Sequence, residues 1–146
     1  MLRFIKSLFV KPKKRKNGVS VKDFYNESAE NYLETILLLS KKQSYVRSID
    51  IANELNFSKP SVSVAMKNLR ANGHINVDHA GHISLTETGL SIAESVLERH
   101  KVLSQMLILL GVDPKIASED ACRLEHVISK ESFDAIKKHI EQPIHK

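Results

Sequence analysis

Cysteine and tryptophan are nearly missing from this chain. With Cys122 alone among 146 residues, no intrachain disulfide can form and nothing points to an oxidising compartment, so the cytoplasm is the expected location. Aromatic residues make up 5% of the sequence and none is Trp, which argues against the base-stacking platforms of single-strand binders. Only five glycines and four prolines interrupt the chain. Its apolar residues recur mostly at helical spacing, which favours a mainly α fold over a sandwich or barrel. A bilayer-spanning stretch is not expected at the start either. Leu2 to Val10 is too short, is broken by Arg3 and Lys6, and precedes no small-residue cleavage site, so a membrane role is not expected.

Hydrophobic residues reach 42%, enough for a core in one ordinary domain or in a small DNA-binding unit fused to a short helical one. The net charge of +5 is unevenly placed. Residues 1–16 carry seven cations and no acid, and the remaining 130 residues sum to −2. The basic balance therefore describes a tail, suited to a polyanion such as DNA or a membrane surface. We read a short amphipathic segment joined to a basic linker, together an N-terminal extension over 1–26.

Helical periodicity predicts a first helix from an N-cap at Ser28 to about Lys42, a second after Ser48 to Leu55, and a third from Ser58 to Ala71, stopped by Asn72-Gly73. Alternation in Ile75–Asp78 and His82–Leu85 around His79-Ala80-Gly81 predicts a β-hairpin with one buried face. A long helix follows over about 88–110. A fifth, capped by Asp113-Pro114, is predicted to reach Ile128, and a sixth to start at Ser129.

Helix, tight turn, helix, hairpin is the order of a winged helix-turn-helix. Ala52 is small where two helices would cross, Asn56 tolerates the left-handed turn, and Val62 and Leu69 point inward. The opposite edge of the third helix carries Ser58, Lys59, Pro60, Ser61, Ser63, Val64, Lys67 and Asn68. Short hydrogen-bonding side chains flanked by cations suit a major groove with phosphates on either side. A three-helix core would also leave a polar face in water. The hairpin's position and the net +3 of residues 41–79 tip the reading to double-stranded DNA.

A second cluster is Cys122-Arg123-Leu124-Glu125-His126. Positions i, i+3 and i+4 share a helical face, so a thiol, a carboxylate and an imidazole converge there, ligand chemistry for a first-row divalent metal. Three residues do not complete a shell. Further candidates are His100, inside the apolar run of the long helix, and Glu34 with Asn31 on the first helix. Taken singly, His100 also fits a satisfied core histidine, Glu34 a solvated charge and Cys122 a small buried hydrophobe.

From about Ser28 to Ile140 the chain resembles the iron- and manganese-dependent repressors typified by the diphtheria toxin repressor and the manganese transport regulator. The string from Glu119 to Ser129 resembles the metal-binding helix of the iron-type members. Arg99-His100 looks like their histidine-ligand segment, and Glu30-Asn31-Tyr32-Leu33-Glu34 like the first-helix ligand segment. The resemblance implies His100, Cys122, Glu125 and His126 as ligands, with Glu34 where manganese-type members place a carboxylate and Cys122 where iron-type members place a thiol. Asn31 stands where the family usually has Asp or Met and is a weaker ligand. Ser104 and Ser118 replace the carboxylate and imidazole of the iron-type ancillary site, which is expected to be altered or absent. The chain is expected to stop before a third, SH3-like domain.

The expected function is a metal-dependent transcriptional repressor of metal homeostasis, not an enzyme and without a small-molecule substrate. It would bind a palindromic operator as a homodimer when loaded with Fe(II) or Mn(II), with Zn(II) or Co(II) able to bind in vitro. The expected domains are a winged helix-turn-helix over 27–87 and a helical metal-binding and dimerisation domain over 88–146. The main alternative is a metal-independent winged-helix regulator responding to an organic effector. A metallohydrolase would need an open coordination position and a poised base, and nothing in the sequence resembles that pairing.

Overall fold

The computed structural model describes residues 21–142. The basic run of residues 1–16 and its predicted amphipathic segment lie outside the described residues. The chain divides into two compact units between Glu94 and Ser95.

The first unit begins with α1 (Val21–Ser40), followed by α2 (Ser48–Leu55), α3 (Lys59–Ala71), β1 (Ile75–Val77) and β2 (Ile83–Leu85). It closes with the start of α4 (Glu87–Leu109), which continues into the second unit. There α5 (Pro114–Leu124) and α6 (Lys130–Glu141) follow. The architecture is mainly α with one small sheet, as the periodicity implied.

The first helix starts earlier than expected. Val21 rather than Ser28 opens it, because the periodic run from Tyr32 onward propagates backward once a helix is nucleated. Its inner stripe, Leu33, Ile36, Leu37 and Leu39, is buried together with Ile51, Ala52 and Leu55 of α2 and Val62, Met66 and Leu69 of α3. Asn56 turns the chain between α2 and α3 at φ 54°, ψ 41°, the left-handed conformation that Asn accepts more readily than most side chains. Ser58 caps α3 by accepting from the Ser61 amide at 3.3 Å. Pro60 sits in the first turn, where its missing N–H has no intrahelical partner to lose.

The strands are shorter than predicted but keep their register, Ile75 opposite Leu85 and Val77 opposite Ile83. Ile75 and Ile83 face inward while Asn76 and Ser84 face out. Val46 extends the ladder through a bridge to Ile83, tying the segment before α2 to the wing. In the second unit Asp113 caps α5 from its side chain, and Ser129 caps α6 by accepting from the Ser132 amide.

Gly89, on the first turn of α4, is where two backbones come close. A Cβ there would stand 2.0 Å from the His74 carbonyl oxygen, so only glycine permits the approach. Gly89→Ala should therefore lower stability by about 1–3 kcal/mol, read as a fall in the urea midpoint at unchanged slope.

Candidate metal centre and nucleic-acid interface

Four of the candidate donors lie in the second unit. His100 comes from α4, and Cys122 from the last turn of α5. The helix does not run to Ile128 as its sequence suggested. It ends at Leu124, with Glu125 as C-cap still in right-handed helical conformation, and the amides of Val127 and Ile128 both turn back to the Leu124 carbonyl. Glu125 thus keeps the helical direction set by Cys122, and His126 follows in the closing turn.

The donor atoms of His100, Cys122 and Glu125 all lie within 4.8 Å of one another. His100 Nδ1 is 3.0 Å from Glu125 Oε2 and 3.5 Å from Cys122 Sγ. The other carboxylate oxygen, Oε1, is 3.3 Å from His126 Nε2. The Glu125 side chain is only 2% exposed, and those of His100 and His126 are 8% and 3% exposed. A carboxylate this deep is tolerated only with partners. Burial pushes the Glu125 carboxyl up, but hydrogen bonds from His100 and His126, with the positive character of both rings, outweigh it and hold the group below its ordinary value. The clustered thiol, imidazole and carboxylate of Cys122, His100 and Glu125, with His126 against the other oxygen of the same carboxylate, fit a first-row divalent ion.

Two supporting contacts were not visible in the sequence. Arg99 donates to the Glu125 carbonyl oxygen at 3.2 Å, fixing the turn that carries two of the donors. Ser118 Oγ lies 3.4 Å from His100 Nε2, a contact that orients the imidazole. Asn31 and Glu34 lie in the first unit on α1, both half-buried and one turn apart. The Asn31 backbone carbonyl accepts from Thr35 Oγ1 at 2.8 Å.

On the first unit, every residue assigned to the DNA face, Ser58, Lys59, Pro60, Ser61, Ser63, Val64, Lys67 and Asn68, is exposed. Val62, Met66 and Leu69 on the other edge of α3 are buried. Val64 is 60% exposed, an apolar side chain kept in water among hydroxyls and cations. The wing beside this helix carries a cluster that sequence reasoning missed: Tyr45 stacks on His82, and His82 bonds both Asp78 and Arg47.

Comparison with known proteins follows this division. The iron dependent repressor N-terminal DNA binding domain matches residues 25–83, and the iron dependent repressor metal binding and dimerisation domain matches residues 86–146. An HTH-type transcriptional regulator of Methanocaldococcus jannaschii is 35% identical over 80% of this chain and 95% of its own length. The transcriptional regulator MntR of Escherichia coli is 34% identical over 76% of this chain and 72% of its own. Among solved structures, a manganese-dependent transcriptional repressor in complex with manganese is similar with a TM-score of 0.71 at 26% identity, over 79% of this chain and 53% of that one. The manganese regulator SloR gives 0.69 at 27%, over 79% and 54%. This chain spans about half the length of those two structures.

The chain belongs to the iron-dependent repressor family. It is a metal-dependent DNA-binding transcriptional regulator and not an enzyme, and the reading as a metal-independent regulator is not favoured. Among the described residues, no helix is long and apolar enough to cross a membrane.

The lowered Glu125 carboxyl fixes a sign for the metal-free protein. Its stabilising share is present above the ordinary carboxyl value and is lost as pH falls through the lowered one. In chelator, Glu125→Gln should flatten this part of the acid-unfolding profile and lower stability near neutrality by about 1–3 kcal/mol. An acid profile identical to the parent's would contradict the assigned pairing.

Proposed function

We propose that this chain represses genes of metal homeostasis in the cytoplasm, binding a palindromic operator as a homodimer when loaded with Fe(II) or Mn(II). The observation that carries the reading is the clustering of Cys122, His100 and Glu125 donor atoms, with His126 on the second oxygen of the buried Glu125 carboxylate, in a chain whose other unit is a winged helix-turn-helix. Residues 1–26 are an extension, 27–87 the DNA-binding domain and 88–146 the metal-binding and dimerisation domain.

Four donors from the second unit leave room for a ligand from the first. We assign Glu34, with Asn31 as a weak or indirect partner, because a hard carboxylate balances the soft thiol. When bound, the metal supplies positive charge that neutralises the thiolate and carboxylates and holds them at fixed separations. The chain's own residues do the rest. His100 is oriented through Ser118, Glu125 is held by Arg99 at its carbonyl, and Glu34 sits on the helix whose inner face packs the helix-turn-helix. Loading would thereby favour one geometry of the two recognition helices in an existing dimer, so metal should tighten specific DNA binding more than it changes dimerisation.

At the recognition helix and its cap, Ser58, Ser61 and Ser63 are expected nearest base edges and Lys59 and Lys67 nearest phosphates. A twofold dimer sets its half-sites about one helical turn, roughly 10 base pairs, or a multiple of that apart.

Two measurements test this. Operator affinity titrated separately with manganese, ferrous iron and zinc against a chelator control should show metal stimulation that Cys122→Ala and His126→Ala each abolish, with folding intact by circular dichroism. Variants that respond like the parent would sink the ligand assignment. In the same assay Lys67→Ala should weaken binding to all sequences alike, and changes at Ser61 or Ser63 should alter the preferred operator. A protein that sediments as a monomer and binds a single half-site equally well in chelator would rule out the dimer mechanism.

A further inference from the structure

Arg47, Tyr45, Asp78 and His82 converge on the outer side of the first unit, from two segments more than thirty residues apart, and neither the ligand set nor the recognition helix uses them. The Ile83 amide donates to the Val46 carbonyl at 2.7 Å, pinning the segment before α2 onto the wing. Tyr45 lies on the His82 ring with centroids 4.3 Å apart and planes 18° from parallel. Arg47 Nη2 is 3.1 Å from His82 Nε2, and His82 Nδ1 is 3.1 Å from Asp78 Oδ2.

These contacts have one consistent proton arrangement. A guanidinium has donors only, so His82 Nε2 must present its lone pair to Arg47. The ring proton then sits on Nδ1 and is donated to Asp78. Asp78 is in turn used up by the wing: its Oδ1 accepts from the amides of Ala80 and His82, both at 2.9 Å. The hydrogen bond from the His82 amide, opposed by desolvation and helped by that from Ala80, holds its carboxyl below the ordinary value. The carboxylate is therefore directed into the wing turn, with the imidazole standing between it and the guanidinium.

Arg47 is left in a particular state. It is exposed, aimed by one hydrogen bond to a ring fixed on both sides, and not paired to Asp78, so most of its five donors remain available in a planar fork. Exposed arginines seldom have their direction fixed by a stacked ring. Arg47 also immediately precedes α2, the first helix of the helix-turn-helix, and in this motif that helix crosses the phosphate backbone while the second enters the groove.

We propose that Arg47 is a phosphate-gripping residue for double-stranded DNA, separate from the recognition helix, and that His82 is its positioning residue, holding the guanidinium out from the wing. The contact is independent of sequence and adds one neutralised phosphate per subunit. It rests on the DNA-binding reading and extends it to a second surface.

The test uses the metal-loaded full chain and a random-sequence duplex, with affinity measured across a salt series. Arg47→Gln should weaken binding several-fold at low salt and reduce the log–log salt slope by about 0.9 per subunit engaged. His82→Phe keeps a ring for Tyr45 but removes the acceptor; it should lose affinity too, and the double variant should be no weaker than Arg47→Gln alone. His82→Gln, whose amide can still accept from Arg47, should recover most of the loss. An unchanged slope in Arg47→Gln would overturn the phosphate contact. A His82→Phe loss that adds in full to that of Arg47→Gln would reduce His82 to a structural residue. If His82→Phe fails to fold, a His82→Gln variant weakened as far as Arg47→Gln overturns the positioning role, and one that retains parental affinity upholds it. A parent that does not bind the duplex would count against the DNA-binding reading itself, a result distinguishable from all of these.

Discussion

Glu125 is the constraint on which the second unit depends. A carboxylate with 2% of its side chain exposed has lost nearly all its hydration, and the interior returns that only through close donors. Two imidazoles supply them, one on each oxygen. Their placement dictates much else: α4 must present His100 inward in an apolar stretch, α5 must stop so that the turn brings His126 round, and Arg99 must brace the backbone between. A divalent ion held by these residues would answer the same demand more strongly, supplying positive charge to the carboxylate and the neighbouring thiol. Without an ion, the donor atoms of His100, Cys122 and Glu125 already lie within 4.8 Å of one another.

The helical core of the first unit is organised differently, by apolar packing. Leu33, Ile36, Ile51, Leu55 and Val62 are all completely buried, and this dry contact among α1, α2 and α3 fixes which edge of α3 is left outside. Its hydroxyls and lysines are exposed because the opposite residues are needed within. The wing adds the polar element. Asp78 spends its carboxylate on the hairpin turn and on His82, which lets a three-residue strand pair hold a defined shape that its short ladder would not hold alone.

The sequence made the fold legible where the signal was local. Caps at Ser58, Asp113 and Ser129, the left-handed Asn56 and the alternation around Gly81 all act over a few residues, and each stands where it was expected. Helix ends were less legible. α1 extends back to Val21 because no breaker stops it, and α5 ends at Leu124, where the His126, Val127 and Ile128 run is of middling helix propensity and Arg99 holds the Glu125 carbonyl. Of the candidate site, Cys122, Glu125 and His126 were visible as a helical face, and His100 as one histidine in an apolar run. The Arg47–His82 contact had no sequence signature, since its partners are thirty-five positions apart and each reads singly as a solvated surface residue.

The mixed donor set bears on how such a regulator tells metals apart. A thiol with two imidazoles binds zinc more tightly than manganese or ferrous iron, following the general order of divalent affinities, so occupancy alone cannot carry selectivity. What matters is the difference in free energy each ion makes between the DNA-competent geometry and the others. An ion satisfied by four donors of the second unit gains nothing further from a carboxylate on α1 and shifts no equilibrium, however tightly it is held. On the ligand assignment proposed above, an ion that prefers a larger, oxygen-richer shell would still have a use for the Glu34 carboxylate, and such an ion would be the one whose binding shifts the equilibrium.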